Sequence, residues 1–276
     1  MRKAYYVLGA VLLAVSAWAF FIPAFQGQIA ISPSISLGSF ELRWYGVIMG
    51  LAILTAYLIS RKYAWRFGIS QTDIDDFTFW AVIFGIIGAR AYYVLFNIEY
   101  FSRDWIEVVK IWNGGLSIYG GLVLGLIFAY FYTRKKAYSF SQLFDVVALG
   151  LPLGQAVGRL GNFFNQEAFG GPTNLPWKMF VEPQYRPVMY SQNNYFHPAF
   201  AYEAIINLVI FFILQKLLGK GRSGTIGWAY LGLYSLGRFF VEAIRVDSFF
   251  VNGIRVDQVV AALVLLLSGI MLLRKK

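Results

Sequence analysis

Eight apolar runs, at 4–22, 44–60, 77–97, 114–133, 141–158, 198–218, 225–244 and 256–273, constrain this chain more than any other feature. About 20 helical residues cross a hydrocarbon core of about 30 Å. Helices are expected because each satisfies its backbone polar groups within the segment. Only 14% of the residues are charged, against about 25% in a soluble domain. The bilayer is therefore the solvent for most of the chain. The expected fold is all-α, a polytopic transmembrane helical bundle of about eight spans.

The basic residues give the orientation. Arg2, Lys3, Arg61, Lys62, Arg66, Arg134, Lys135, Lys136, Lys216, Lys220, Arg222, Arg274, Lys275 and Lys276 make 14 of the 24 lysines and arginines, in tight clusters at alternate span ends. They read as the cytoplasmic ends, with the other ten spread singly over the outer half. The net charge of +10 thus reflects topology and attraction to membrane lipids, with no nucleic-acid partner. The run 4–22 has a second reading, a cleavable signal peptide ending near Ala17-Trp18-Ala19. Its continuation through Phe20, Phe21 and Ile22 favours a retained span, so 1–30 is taken as an added N-terminal span. Residues 31–276 then form one transmembrane catalytic domain, with an ordered external loop over about 159–197 that holds four prolines. There is no cysteine and one histidine, which excludes a thiolate or multi-histidine metal site.

The ionisable chemistry concentrates at the outer level. Where the fifth span ends stands Gly158-Arg159-Leu160-Gly161-Asn162-Phe163-Phe164-Asn165-Gln166-Glu167-Ala168-Phe169-Gly170. Arginine offers paired donors to a phosphate, and the amides suit glycerol hydroxyls. A polar loop with a snorkelling arginine would look the same. Tyr234, Arg238, Glu242 and Arg245 recur at helical spacing on one stripe of the seventh span. An arginine there costs about 2.5–3.5 kcal/mol to insert, so it is paired or faces a polar cavity. Arg238 and Glu242 can pair structurally, which leaves the positive charge of Arg245 in excess. Arg43-Trp44-Tyr45 alone reads as an interfacial anchor, and Arg90 as structural or supporting. His197-Pro198 opens the sixth span, where a lone histidine is more often structural than catalytic.

Taken together, these residues resemble the prolipoprotein diacylglyceryl transferase family. Segment 158–170 matches the family pattern Gly-Arg-x-Gly-Asn-Phe-x-Asn-x-Glu-x-x-Gly at every fixed position. Arg43-Trp44-Tyr45-Gly46, Gly88-x-Arg90, the paired glycines of 114–121, His197-Pro198 with Tyr202-Glu203, and Arg238, Glu242 and Arg245 follow in the family's order. The resemblance covers roughly 31–273. It implies a seven-span core, to which 4–22 is an addition. It also implies transfer of the diacylglyceryl group of phosphatidylglycerol to the lipobox cysteine of a preprolipoprotein signal peptide. Glycerol phosphate is released, no soluble cofactor takes part, and the site faces outward from the bacterial cytoplasmic membrane. One departure stands out: the family commonly has a histidine where this chain has Tyr119.

By resemblance and depth, Arg238 and Arg159 are expected on the phosphate, and Asn162 and Glu167 are expected to orient the headgroup or Arg159. Tyr45, Gly170, His197, Tyr234, Glu242 and Arg245 complete the expected substrate site. Tyr119 is either the thiol's proton acceptor, if arginines make it acidic enough, or a hydrogen-bond donor to phosphate. The competing function is a transporter or scramblase of anionic lipids, which predicts charge in both leaflets or inverted repeats. No repeat is visible, and Asp145 is the main acid within a span near the inner side. A channel would need rings of charge along a pore, which are lacking.

Overall fold

The computed structural model describes residues 19–38 and 40–274. Among these, seven long helices carry the chain: α1 (Trp44–Tyr63), α2 (Gln71–Phe96), α3 (Ile118–Thr133), α4 (Phe140–Asn165), α5 (Ala199–Leu217), α6 (Thr225–Glu242) and α7 (Val256–Leu273). Each coincides with an expected span, and the whole is a polytopic helical membrane protein. Five (α1, α2, α4, α5 and α7) are long and apolar enough to cross a membrane. Helix α3 is apolar but has only 16 residues, and α6 is continuous but carries Arg238 and Glu242 among its 18 residues. Phe131, Phe212 and Leu266 lie exposed on the bundle's outside, as a lipid-facing surface requires. The expected span 4–22 lies outside the described residues except for 19–22, which belong to a helical stretch reaching 25.

Three boundaries differ from expectation, each for a local reason. Helix α2 begins at Gln71 rather than 77 because Ser70 caps it, accepting from the Asp73 amide. Its early acids are neutralised by neighbouring helices, Asp75 by Arg61 at 2.8 Å and Asp73 by Lys136. Helix α4 runs on to Asn165 rather than stopping at 158. Phe163, fully buried against Phe21, Phe25 and Phe200, outweighs the poor helix propensity of Gly158 and Gly161. The expected loop of 159–197 therefore starts at 166, and Arg159 and Asn162 are helical. Helix α3 starts at Ile118 rather than 114, because Gly114 and Gly115 take φ of +86° and +75°. The stretch before it, short 3-10 turns at Trp105–Val109 and Ile111–Asn113 followed by the two glycines, is held by Arg90, which donates to the carbonyls of Glu107 (2.5 Å), Val108 (2.8 Å), Gly114 (2.7 Å) and Gly115 (2.9 Å). Arg90 is thus structural: it ties the backbone of this connection to α2.

Small residues bring the helices together. Gly150 and Gly154 of α4 lie against the backbone of Ala56 and Ala52 on α1, and Gly88 of α2 meets Gly120 of α3 backbone to backbone. The antiparallel connections gather the basic clusters of 61–66, 134–136 and 216–222 at one end of the bundle. There the Asp145 carboxylate accepts from the amides of Gly224 (2.5 Å) and Gly227 (2.8 Å) and covers the positive N-terminus of α6. The main acid within a span near that end is thus a helix cap.

The opposite end carries three antiparallel ribbons. These are β1 (Ser34–Leu37) with β2 (Phe40–Arg43), β3 (Met179–Phe180) with β4 (Tyr195–Phe196), and β5 (Phe250–Val251) with β6 (Ile254–Arg255). The segment 166–197 is ordered, as expected, over a core of Phe163, Phe169, Met179, Val181 and Phe196.

Candidate functional site

At the ribbon end, three arginines from separate positions converge on one carboxylate. Glu203, in the first turns of α5, is almost fully buried. Its Oε2 meets Arg159 of α4, while its Oε1 accepts from Arg238 of α6 at 2.7 Å and from Arg245 at 3.3 Å. Arg238 also binds Glu242 at 2.5 Å, one helical turn on, and Asp257 in the first turn of α7 at 3.3 Å. Arg245 grips Asp247 through Nε at 2.8 Å and Nη2 at 2.5 Å. Burial disfavours the Asp247 carboxylate, but the Arg245 guanidinium beside it holds it below the usual carboxylate range. Asp247 is therefore ionised at neutral pH.

This arrangement corrects one expectation. Arg245 does not leave positive charge in excess: Glu203, Glu242, Asp247 and Asp257 face Arg159, Arg238 and Arg245. It lies beyond the end of α6, in the turn toward α7, rather than on a continuous helical stripe. Tyr234 has its own ring partner. It lies a turn deeper and stacks on Tyr230, with centroids 5.9 Å apart.

The signature segment feeds the same cluster. Asn162 accepts from Arg159 Nη1 at 3.3 Å and donates to Glu167 Oε1 at 2.9 Å; Asn165 donates to the same oxygen at 3.2 Å. Glu167 stands between Gln166 and Ala168, which hold φ of +49° and +55°, a strained conformation for non-glycine residues. Gln166 is held there by accepting from the Glu182 amide at 2.6 Å. The Tyr45 ring packs on Gly161, where a Cβ would come within 2.9 Å of it, and lies within electrostatic reach of Arg159 and Glu167. Gly170 brings two chain segments together. Its amide donates to His197 O at 2.8 Å, and a Cβ would stand 2.9 Å from both His197 and the Ile244 carbonyl.

His197 pairs with Tyr202 at 3.1 Å, and Tyr202 accepts from Trp177 at 2.7 Å. It anchors the 166–197 segment through Tyr202 and Trp177. Tyr119 stands in the first turn of α3, exposed, beside Tyr92. It lies within electrostatic reach of the Asp257 carboxylate and of Arg238. Glu203, Asp247 and Asp257 were not among the expected site residues. The signal for Glu203 was a lone acid inside an apolar span. Asp257 looked like an ordinary acid at a helix N-terminus.

A cavity of about 560 Å³ adjoins the cluster. Glu167 and Asp247 form its shared wall, and Glu41, Arg43 and Tyr185 are among the residues that line the rest.

The sequence model described as "Prolipoprotein diacylglyceryl transferase" matches residues 33–274. The chain is 44% identical over 273 residues to the phosphatidylglycerol–prolipoprotein diacylglyceryl transferase of Thermotoga maritima, spanning 96% of this chain and 93% of that one. It is 46% identical over 228 residues to the protein of that name from Acaryochloris marina, covering 82% and 83% of the two chains. The one from Fervidobacterium nodosum is 40% identical over 265 residues, covering 94% and 91%. With the fold and signature residues in agreement over nearly its whole length, this chain belongs to the prolipoprotein diacylglyceryl transferase family.

Proposed function

We propose that the arginine cluster around Glu203 holds the phosphate of phosphatidylglycerol while a lipobox cysteine displaces it. The chain is a transferase of the first step of bacterial lipoprotein maturation, with phosphatidylglycerol and prolipoprotein as substrates. The observation that carries the site assignment is the convergence of Arg159, Arg238 and Arg245 at the end of the bundle opposite the basic clusters. Within the domain 31–276, that end faces outward from the cytoplasmic membrane.

The reaction is a substitution at carbon. The cysteine sulfur attacks the glycerol carbon that bears the phosphate, the C–O bond breaks, and glycerol phosphate leaves with the electron pair. Charge develops on the departing phosphate, so preorganised guanidinium groups stabilise the transition state more than the ground state. Arg238 and Arg159 make those contacts, and Arg245 with Glu242 and Glu203 holds them in place. Asn162, Glu167 and Tyr45 orient Arg159 and the headgroup. Gly170 and His197 build the wall behind them, Tyr234 supports α6 from below, and Tyr119 borders the path of the thiol. The adjoining cavity has room for the glycerol of the headgroup.

Purified protein, phosphatidylglycerol vesicles and a lipobox peptide are expected to give a peptide heavier by one diacylglyceryl group, with one glycerol phosphate released per peptide. A serine in place of the cysteine should abolish the gain. No mass gain from the cysteine peptide would refute the reading. The orientation has its own test. A cysteine placed at exposed Asn174 is the chain's only thiol, so it should react in intact cells with a membrane-impermeant maleimide. Reaction only after the cells are opened would invert the topology.

A further inference from the structure

We infer that Asp257 is the catalytic residue that takes the proton from the substrate thiol, with Tyr119 holding its carboxylate. This deepens the transferase reading and rests on it. Three observations lead here. Arg238 touches three carboxylates, and Asp257 is the most distant, at 3.3 Å against 2.7 Å for Glu203 and 2.5 Å for Glu242. It is also the most accessible, with a side chain 33% exposed against 4% and 1%. Tyr119, on helix α3, lies within electrostatic reach of the same carboxylate and is itself open to the surroundings.

An incoming phosphate must compete for Arg238 with carboxylates already in place. Glu203 and Glu242 are buried and short-bonded, so Asp257 is the partner that yields. A carboxylate that loses its guanidinium and gains a phosphate neighbour accepts a proton more readily. Binding of the lipid thus creates the base, at the open side of the cluster. The charged and titratable groups facing Asp257 are Arg238, with its partners Glu242 and Glu203, and Tyr119, which lies beside Tyr92. A phenolate at Tyr119 would confront a carboxylate, so Tyr119 serves better as a donor to Asp257 than as the acceptor itself.

The step balances. The S–H bond breaks and its proton passes to an Asp257 oxygen. The sulfur pair forms the S–C bond as the C–O bond to phosphate breaks. The proton then passes to the released phosphate monoester or to water.

The test is turnover against pH for Asp257→Asn with phosphatidylglycerol and a lipobox peptide. A peptide thiol ionises near pH ~8.5. Above that the base is dispensable, and below it the base matters. Asp257→Asn is expected to lose roughly 10²-fold at about pH 6.5 and less than about tenfold near pH 9. Asp257→Ala should follow the same pattern and regain activity with added formate, which keeps the test open should the asparagine variant fold poorly. Tyr119→Phe should lose less than Asp257→Asn at the lower pH. A loss independent of pH, or no loss, overturns the proposal. Wild-type protein that makes no thioether at either pH would instead refute the transferase reading.

Discussion

Arg238→Lys is expected to lower turnover at least about 10²-fold, although the positive charge is kept. The guanidinium of Arg238 spans three carboxylates on three helices, with Nη1 on Glu203 and Nη2 on Glu242 and Asp257. A planar fork meets a phosphate with two parallel bonds and holds its place among the carboxylates as it does so. An ammonium is a point charge on a flexible stem and does neither. The loss should appear in kcat rather than in KM for phosphatidylglycerol, because the guanidinium acts on charge that develops as phosphate departs. Thermal melting controls for folding. A well-folded lysine variant within tenfold of wild type would remove Arg238 from the transition state.

Glu203→Gln should be the most damaging change to stability. One carboxylate, 4% exposed, is shared by three guanidinium groups from α4, α6 and the turn after it. Removing one partner of a buried ionic network costs about 3–5 kcal/mol, because the remaining charges stay buried without compensation. The midpoint of thermal unfolding should fall by roughly 10 °C. Added glycerol phosphate, which returns a negative charge to the cluster, should raise the variant's midpoint more than the wild type's. An unchanged midpoint would mean that Glu203 does not hold the arginines together.

The sequence revealed the spans because twenty-residue apolar runs and basic clusters are local signals. The signature 158–170 was equally visible, since its residues are contiguous and Arg159, Asn162 and Glu167 do meet. The charge balance of the site was not, because it depends on which helix ends come together. Arg245 looked unpaired along its own helix; its partners are Glu203, 42 residues away, and Asp247, in a turn whose geometry no periodicity describes. Asp257 was hidden for the same reason: an acid in a helix's first turn has a sufficient local explanation. The late start of α3 was set by the positive φ of Gly114 and Gly115, which hydropathy cannot detect.

The carbonyl contacts of Arg90 bear on how this protein enters the membrane. Helix α3 has 16 residues, short of the about 20 that span a bilayer. The stretch before it forms only short 3-10 turns, and four of its carbonyls accept from a guanidinium that belongs to α2. Presented alone to the insertion machinery, this stretch would bring bare backbone into lipid, and Arg90 alone would bring a bare charge. Each removes the other's penalty. The two helices are therefore suited to the bilayer as a pair, a closed hairpin in which each satisfies the other.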